Sequence, residues 1–76
     1  MTLSDLHPGE RVRITGFSAE SNYIAELQRL GLVPGTEFTV QRKAPLGDPI
    51  EVRVRGYSLA LRPAEANELL IEVIDQ

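Results

Sequence analysis

Residues 50–62, IEVRVRGYSLALR, alternate apolar and polar side chains on both sides of one glycine, and this constrains the fold more than any other feature of the chain. Successive side chains on a strand point to opposite faces, so each run fits a strand with one face buried. Two such runs around a glycine-containing turn read as an antiparallel hairpin. With Gly56 and Tyr57 as the central pair, glycine holds the first turn position, where a tight hairpin needs positive φ. Counting outward pairs Arg55 with Ser58, Val54 with Leu59, Arg53 with Ala60, Val52 with Leu61 and Glu51 with Arg62. Every apolar pair then falls on one face, whereas a loop one residue longer mixes the faces.

The same reasoning extends along the chain. Leu3 and Leu6 form a short apolar anchor before the turn signal His7-Pro8-Gly9. ERVRITGF alternates as a first strand with Val12 and Ile14 inward. The spacing then lengthens to three and four in SAESNYIAELQRLG, where Tyr23 or Ile24, Leu27 and Leu30 make a helical stripe capped by Ser18 or Ser21. Gly31 suits the left-handed position past the helix end, with Leu32 folding back on Leu27. GTEFTVQRK is a second strand with Phe38 and Val40 inward. PLGDP joins it to the hairpin, and Pro63 ends the fourth strand. AEANE makes a turn or a single helical turn. LLIEVIDQ is a fifth strand with Leu69, Ile71 and Val73 inward, leaving Leu70 and Ile74 either to cover a seam against Leu3 and Leu6 or to stand exposed.

These elements predict a single domain over residues 1–76 that is mainly β. Five short strands close into a small bent barrel, with one α-helix inserted between strands 1 and 2 and capping one end. A chain of 76 residues buries only about 60 % of its unfolded surface, so a deep active-site cavity is not expected.

Composition narrows the chemistry. There is no cysteine and one histidine, which removes disulfides, thiolate zinc sites and histidine clusters, and no metal ligand set or cofactor site is expected. Hydrolase, phosphate-loop and dinucleotide motifs are absent, so no catalytic residue is nominated and the chain is not read as an enzyme. The formal charge of −3 argues against nucleic acid as a partner. No run approaches ~18 apolar residues and the first residues lack a signal-peptide pattern, so no membrane insertion is expected and the cytosol is the expected compartment.

Five residues combine expected exposure with useful chemistry. In the register above, Arg53 and Arg55 face side chains too short to cover them. They are read either as a solvated face or as bidentate receptors for carboxylate or phosphate. Tyr57 adds an aromatic at the turn, Leu32 an apolar group at the helix exit, and Asp48 a carboxylate on the proline-flanked loop, where its alternative role is to hydrogen-bond the turn itself.

LSDLHPGERVRITGF, RLGLVPGTEFTV and APLGDPIEVRVRGYSLALR, in this order and spacing, resemble the FeoA family over almost the whole chain. The resemblance implies an SH3-like barrel related to the C-terminal domain of DtxR-type repressors. It also implies an accessory role in ferrous iron uptake through contact with the cytosolic region of a FeoB-type transporter. Alternatives from the same resemblance are a module working with a metal-responsive repressor and a GTPase-activating partner, with an arginine at position 53 or 55 supplied in trans. The resemblance marks Leu30, Gly31, Leu32 and Gly35 at the helix exit, and Pro45 to Pro49, Arg55, Gly56 and Leu59 around the hairpin.

Overall fold

The computed structural model describes residues 2–75. A 3-10 turn at Leu3–Asp5 leads into β1 (Arg11–Phe17), then α1 (Asn22–Arg29), β2 (Glu37–Lys43), β3 (Ile50–Val54), β4 (Tyr57–Leu61), the one-turn helix α2 (Pro63–Ala66) and β5 (Leu69–Asp75). The strands form one antiparallel sheet in the order β4-β3-β2-β1-β5.

Alternation decides which face is inside. Val12, Ile14, Phe38, Val40, Val52, Val54, Leu61, Leu69 and Ile71 project from the strands into one core, which Leu3, Leu6, Ile24, Leu27 and Leu32 complete. On the outer face Arg13 donates to Glu72 at 2.8 Å and to Glu37 at 3.2 Å, tying β5, β1 and β2 together. Glu72 first and Glu37 second raise the pKa of its guanidinium. These groups are exposed, so the trio favours the correct register more than it adds stability.

Pairing slips between Arg11 and Val12 and between Ile14 and Gly16 in β1–β5, and between Val40 and Arg42 in β2–β3. Such bulges bend a strand and increase its twist. The extents of 27 × 24 × 23 Å are those of a sheet coiled around its own core, not of a flat layer. Among the described residues no pairing joins β4 to β5. Instead α2 connects them and packs on both α1 and the 3-10 turn, so the barrel is completed by helical segments. Leu70 is exposed and lies over Gly16, while Leu3 and Leu6 are fully buried.

Of the two candidate serines, Ser21 caps α1, its hydroxyl accepting from the Ile24 amide at 3.1 Å. Ser18 instead donates to the Glu68 carbonyl. At the other end Gly31 has φ 101°. Its amide donates to the Gln28 carbonyl and that of Leu32 to the Leu27 carbonyl, both at 3.0 Å. This double closure turns the chain back over the helix. It also drives Leu32 into the core, so the expected exposure of that residue is corrected: it is fully buried. The exit loop is held by Thr36, a buried polar residue that the sequence reading passed over. Its hydroxyl donates to the Gly31 carbonyl at 2.9 Å and accepts from the Val33 amide at 3.3 Å.

The hairpin departs from expectation by one step. Its central residues are Arg55 and Gly56, with φ of 47° and 91°, and the pairs are Val54 with Tyr57, Arg53 with Ser58, Val52 with Leu59, Glu51 with Ala60 and Ile50 with Leu61. Two positive φ values match the right-handed twist of the flanking strands, whereas the expected turn uses only one. The shift moves each partner by two residues, which preserves the faces and explains why the alternation could not detect it.

Replacing Gly31 by alanine meets only ordinary contact near the Tyr57 hydroxyl, at 3.8 Å, so the cost is in the backbone. Gly31→Ala is expected to destabilise the fold by about 1–2 kcal/mol. For a domain of this size that lowers Tm by roughly 4–8 °C per kcal/mol in thermal unfolding. An unchanged Tm would remove the left-handed helix exit from the account.

Candidate docking surface

The basic side chains divide sharply by partner. Arg11, Arg13, Arg29 and Arg42 each lie within ion-pair distance of a glutamate. Lys43 donates to the carbonyls of Ser4 and Leu6. Arg53, Arg55 and Arg62 have no carboxylate partner among the described residues, and all three belong to the β3–β4 hairpin and its last flanking position. Among the described residues the arginines without a carboxylate partner are therefore gathered on and beside the hairpin, while Lys43 of β2 is held by neutral carbonyls.

Arg55 holds its place at a cost. A φ of 47° is the left-handed region, where Asn, Asp or Gly is usual and a long side chain is not. The side chain is exposed at the turn. Arg53 stands opposite Ser58, and its guanidinium reaches the Gly56 carbonyl only at 3.4 Å. Arg53 and Arg55 are thus both near the tip, but Arg55 faces no strand partner, which corrects the expected pairing with Ser58.

Tyr57 is the first residue of β4, not a turn residue. Its hydroxyl donates to the Leu30 carbonyl, satisfying an acceptor that the end of α1 would otherwise leave open. The ring is still 38 % exposed, beside Leu30 at 42 % and Val33 at 39 %. The helix exit and the hairpin tip therefore meet at Tyr57, whose half-exposed ring is tied to the loop that carries Leu30 and Val33. Leu30 and Val33 were not singled out from sequence as contacts, although LGLVPG marked their loop.

Asp48 lies elsewhere. It sits in the β2–β3 loop, past the end of the hairpin opposite the tip, and precedes a cis peptide bond to Pro49. The loop is closed by backbone bonds from Gly47 to Ala44 at 2.7 Å and from Ala44 to Pro49 at 3.1 Å. No side-chain hydrogen bond of Asp48 occurs among the described residues. With Pro49, Ala60 and Arg62 it lines a shallow cleft of about 300 Å³. Arg53, Arg55 and Tyr57 are thus all near the tip, Arg53 on the outer face across from Ser58 and Tyr57 on the inner face across from Val54, whereas Asp48 lies at the far end of the hairpin and Leu32 is buried. A second open cleft, about 440 Å³, runs along Phe17, Ser21, Ile24 and Gln28. Among the described residues no group of three or more His, Cys, Asp or Glu is placed to hold a metal ion.

The model of the FeoA domain matches residues 1–73. The chain belongs to the FeoA family. It is 32 % identical over 74 residues to the Fe(2+) transport protein A/Fe(2+) transporter FeoB fusion protein of Porphyromonas gingivalis, covering 97 % of this chain and only 9 % of that protein. Among solved structures, the FeoA-like protein of Clostridium acetobutylicum is 39 % identical with a TM-score of 0.88, covering all of this chain and 88 % of the other. The zinc complex of Stenotrophomonas maltophilia FeoA, described as a prokaryotic SH3 domain protein, is 30 % identical with a TM-score of 0.80, covering 95 % and 89 %. The fold, though not a shared role, also extends to T. acidophilum IdeR, at 24 % identity and a TM-score of 0.83 over 97 % of this chain and 34 % of that one. The FeoA chain is thus a five-stranded, SH3-like domain, and among the described residues no helix is long and apolar enough to cross a membrane.

The strained arginine of this FeoA chain yields a separable test. Arg55→Asn keeps the turn and removes the cation, so it is expected to stabilise the fold by about 0.5–1 kcal/mol. Denaturant unfolding measures this, and a loss of stability would show that Arg55 makes a structural contribution missing from this description.

Proposed function

We propose that this FeoA chain is a cytoplasmic accessory protein of ferrous iron uptake, acting by contact with the cytosolic region of a FeoB-type transporter and requiring no catalytic chemistry of its own. The observation that carries this reading is the Porphyromonas gingivalis relative, in which the matched segment shares one polypeptide with a protein named as the transporter. A fused domain and its neighbour meet at high effective concentration, and a separate chain must supply the same contact through its own surface.

The tip formed by Leu30, Val33, Arg53, Arg55 and Tyr57 is the surface suited to that contact. It combines an aromatic, two aliphatic groups and two guanidinium groups without a carboxylate partner among the described residues, and aromatic and arginine side chains carry much of the binding energy at protein interfaces. Arg55, retained in an unfavourable backbone region without an internal partner, supports an external one.

Titrating the isotopically labelled chain with the purified cytosolic domain of a FeoB-type transporter is expected to shift the amides of residues 30–33 and 53–57. Arg55→Asn is expected to weaken the complex by about tenfold, the equivalent of one charge-assisted contact. Absence of shifts, with and without guanine nucleotide, would overturn the transporter as partner.

A further inference from the structure

The third unpaired arginine lies outside the tip and calls for its own account. Arg62 follows β4 by one residue, on the same outward face as Ser58 and Ala60. Its amide is taken by the Tyr23 hydroxyl at 3.1 Å, which fixes the backbone there while the guanidinium has no carboxylate partner among the described residues. At the other end of the strip Arg53 stands across from Ser58. Between the two arginines the outer face of β4 carries only Ser58 and Ala60, both exposed and both short, and Gln41 of β2 reaches this floor to accept from the Ser58 hydroxyl at 2.9 Å. Glu51 borders this floor, but its carboxylate is engaged by Arg42 at 3.1 Å, and Asp48 shares with Ala60 and Arg62 the cleft at the far end, with no hydrogen bond to either among the described residues.

β4 is an edge strand, and it lacks the usual protection. Tyr57–Leu61 contains no charge and no proline, and its pairing with β3 runs without a bulge. The opposite edge strand, β5, carries Glu72 and pairs with β1 through two bulges. A long side chain at 58 or 60 would have covered the floor. Small side chains leave a flat strip with a cation at each end.

We infer that this strip receives an extended, acidic segment of a partner protein, whose carboxylates meet Arg53 and Arg62 across the floor of Ser58 and Ala60. Four residues of strand separate positions 58 and 62, about 13 Å at the usual rise, so an extended segment with carboxylates at i and i+4 spans the pair. A helix covers that distance in roughly nine residues and lies too thick against a flat floor. Guanidinium binds carboxylate through two parallel hydrogen bonds, which gives direction as well as attraction. The acidic character follows from the location of the free cations. The chain's net charge of −3 disfavours a polyphosphate backbone as occupant. This inference rests on the reading that the chain works through protein contacts, but it does not require that the partner be the transporter.

The test uses the full chain and short blocked peptides. One carries glutamates at i and i+4 in a background of valine, threonine and serine, a second has both replaced by glutamine, and a third has them adjacent. An oligothymidylate serves as the phosphate control. The first peptide is expected to shift the amides of Arg53, Ser58, Ala60 and Arg62 and the side-chain Nε signals of Arg53 and Arg62, with affinity falling as salt rises. Arg53→Gln and Arg62→Gln should each weaken it by about tenfold. Equal binding of the glutamine or adjacent-glutamate peptide would overturn the inference, as would preference for the oligothymidylate or shifts spread evenly over Arg11, Arg13, Arg29 and Arg42. Because the peptides vary while the protein stays constant, a variant that folds poorly does not obscure the outcome. Binding of the peptide without binding of the transporter domain would leave the strip intact and reject only the named partner.

Discussion

The Tyr57 hydroxyl, donating to the Leu30 carbonyl, joins the two parts of this molecule that face outward with useful chemistry. Without that bond the hairpin tip and the end of α1 would be neighbours only through the core. With it, the apolar groups of the helix exit and the cations of the hairpin hold one relative position. Each end of the bond is prepared locally. Gly31 in the left-handed region ends the helix, Thr36 ties the exit loop down, and the Arg55-Gly56 turn delivers Tyr57 as the first residue of β4.

The distribution of charge follows the same division of labour. On the sheet face around β1, opposite charges neutralise each other across strands, as with Arg13 between Glu37 and Glu72. On the hairpin only Glu51 is paired in this way, with Arg42, and Arg53 and Arg55 have no carboxylate partner among the described residues. Exposed ion pairs add little stability, so their placement has more consequence for what the surface can attract than for how firmly the chain folds. A face of paired charges and a hairpin whose arginines lack carboxylate partners among the described residues give this small FeoA domain an uneven surface.

Much of the architecture was legible in the sequence because strand and helix periods differ. Val12, Ile14, Phe38, Val40, Val52, Val54, Leu61, Leu69 and Ile71 were assigned inward by alternation alone and are buried. The helix exit was legible because Gly31 and Leu32 form a known closure. What failed was the part that period 2 cannot see. A hairpin register shifted by two residues leaves every face unchanged, so placing Arg55 rather than Tyr57 in the turn required turn chemistry, and a long side chain at positive φ runs against the usual preference. Leu32 was misjudged for a related reason: the same contact with Leu27 that identified the closure also buries the residue. Arg62 escaped notice because its role depends on what it lacks, a partner, and pairing across strands is settled only in three dimensions.

Amide hydrogen exchange in the wild-type chain and in Tyr57→Phe tests the coupling most directly, since local opening reports which segments are held as a unit. The account predicts that loss of the hydroxyl accelerates exchange together at Gly31 and Leu32 on the helix exit and at Val54 and Leu59 in the hairpin, leaving Val12 and Ile14 in β1 protected. Acceleration confined to the hairpin, with Gly31 and Leu32 unaffected, would contradict it, because the two halves of the surface would then be held independently.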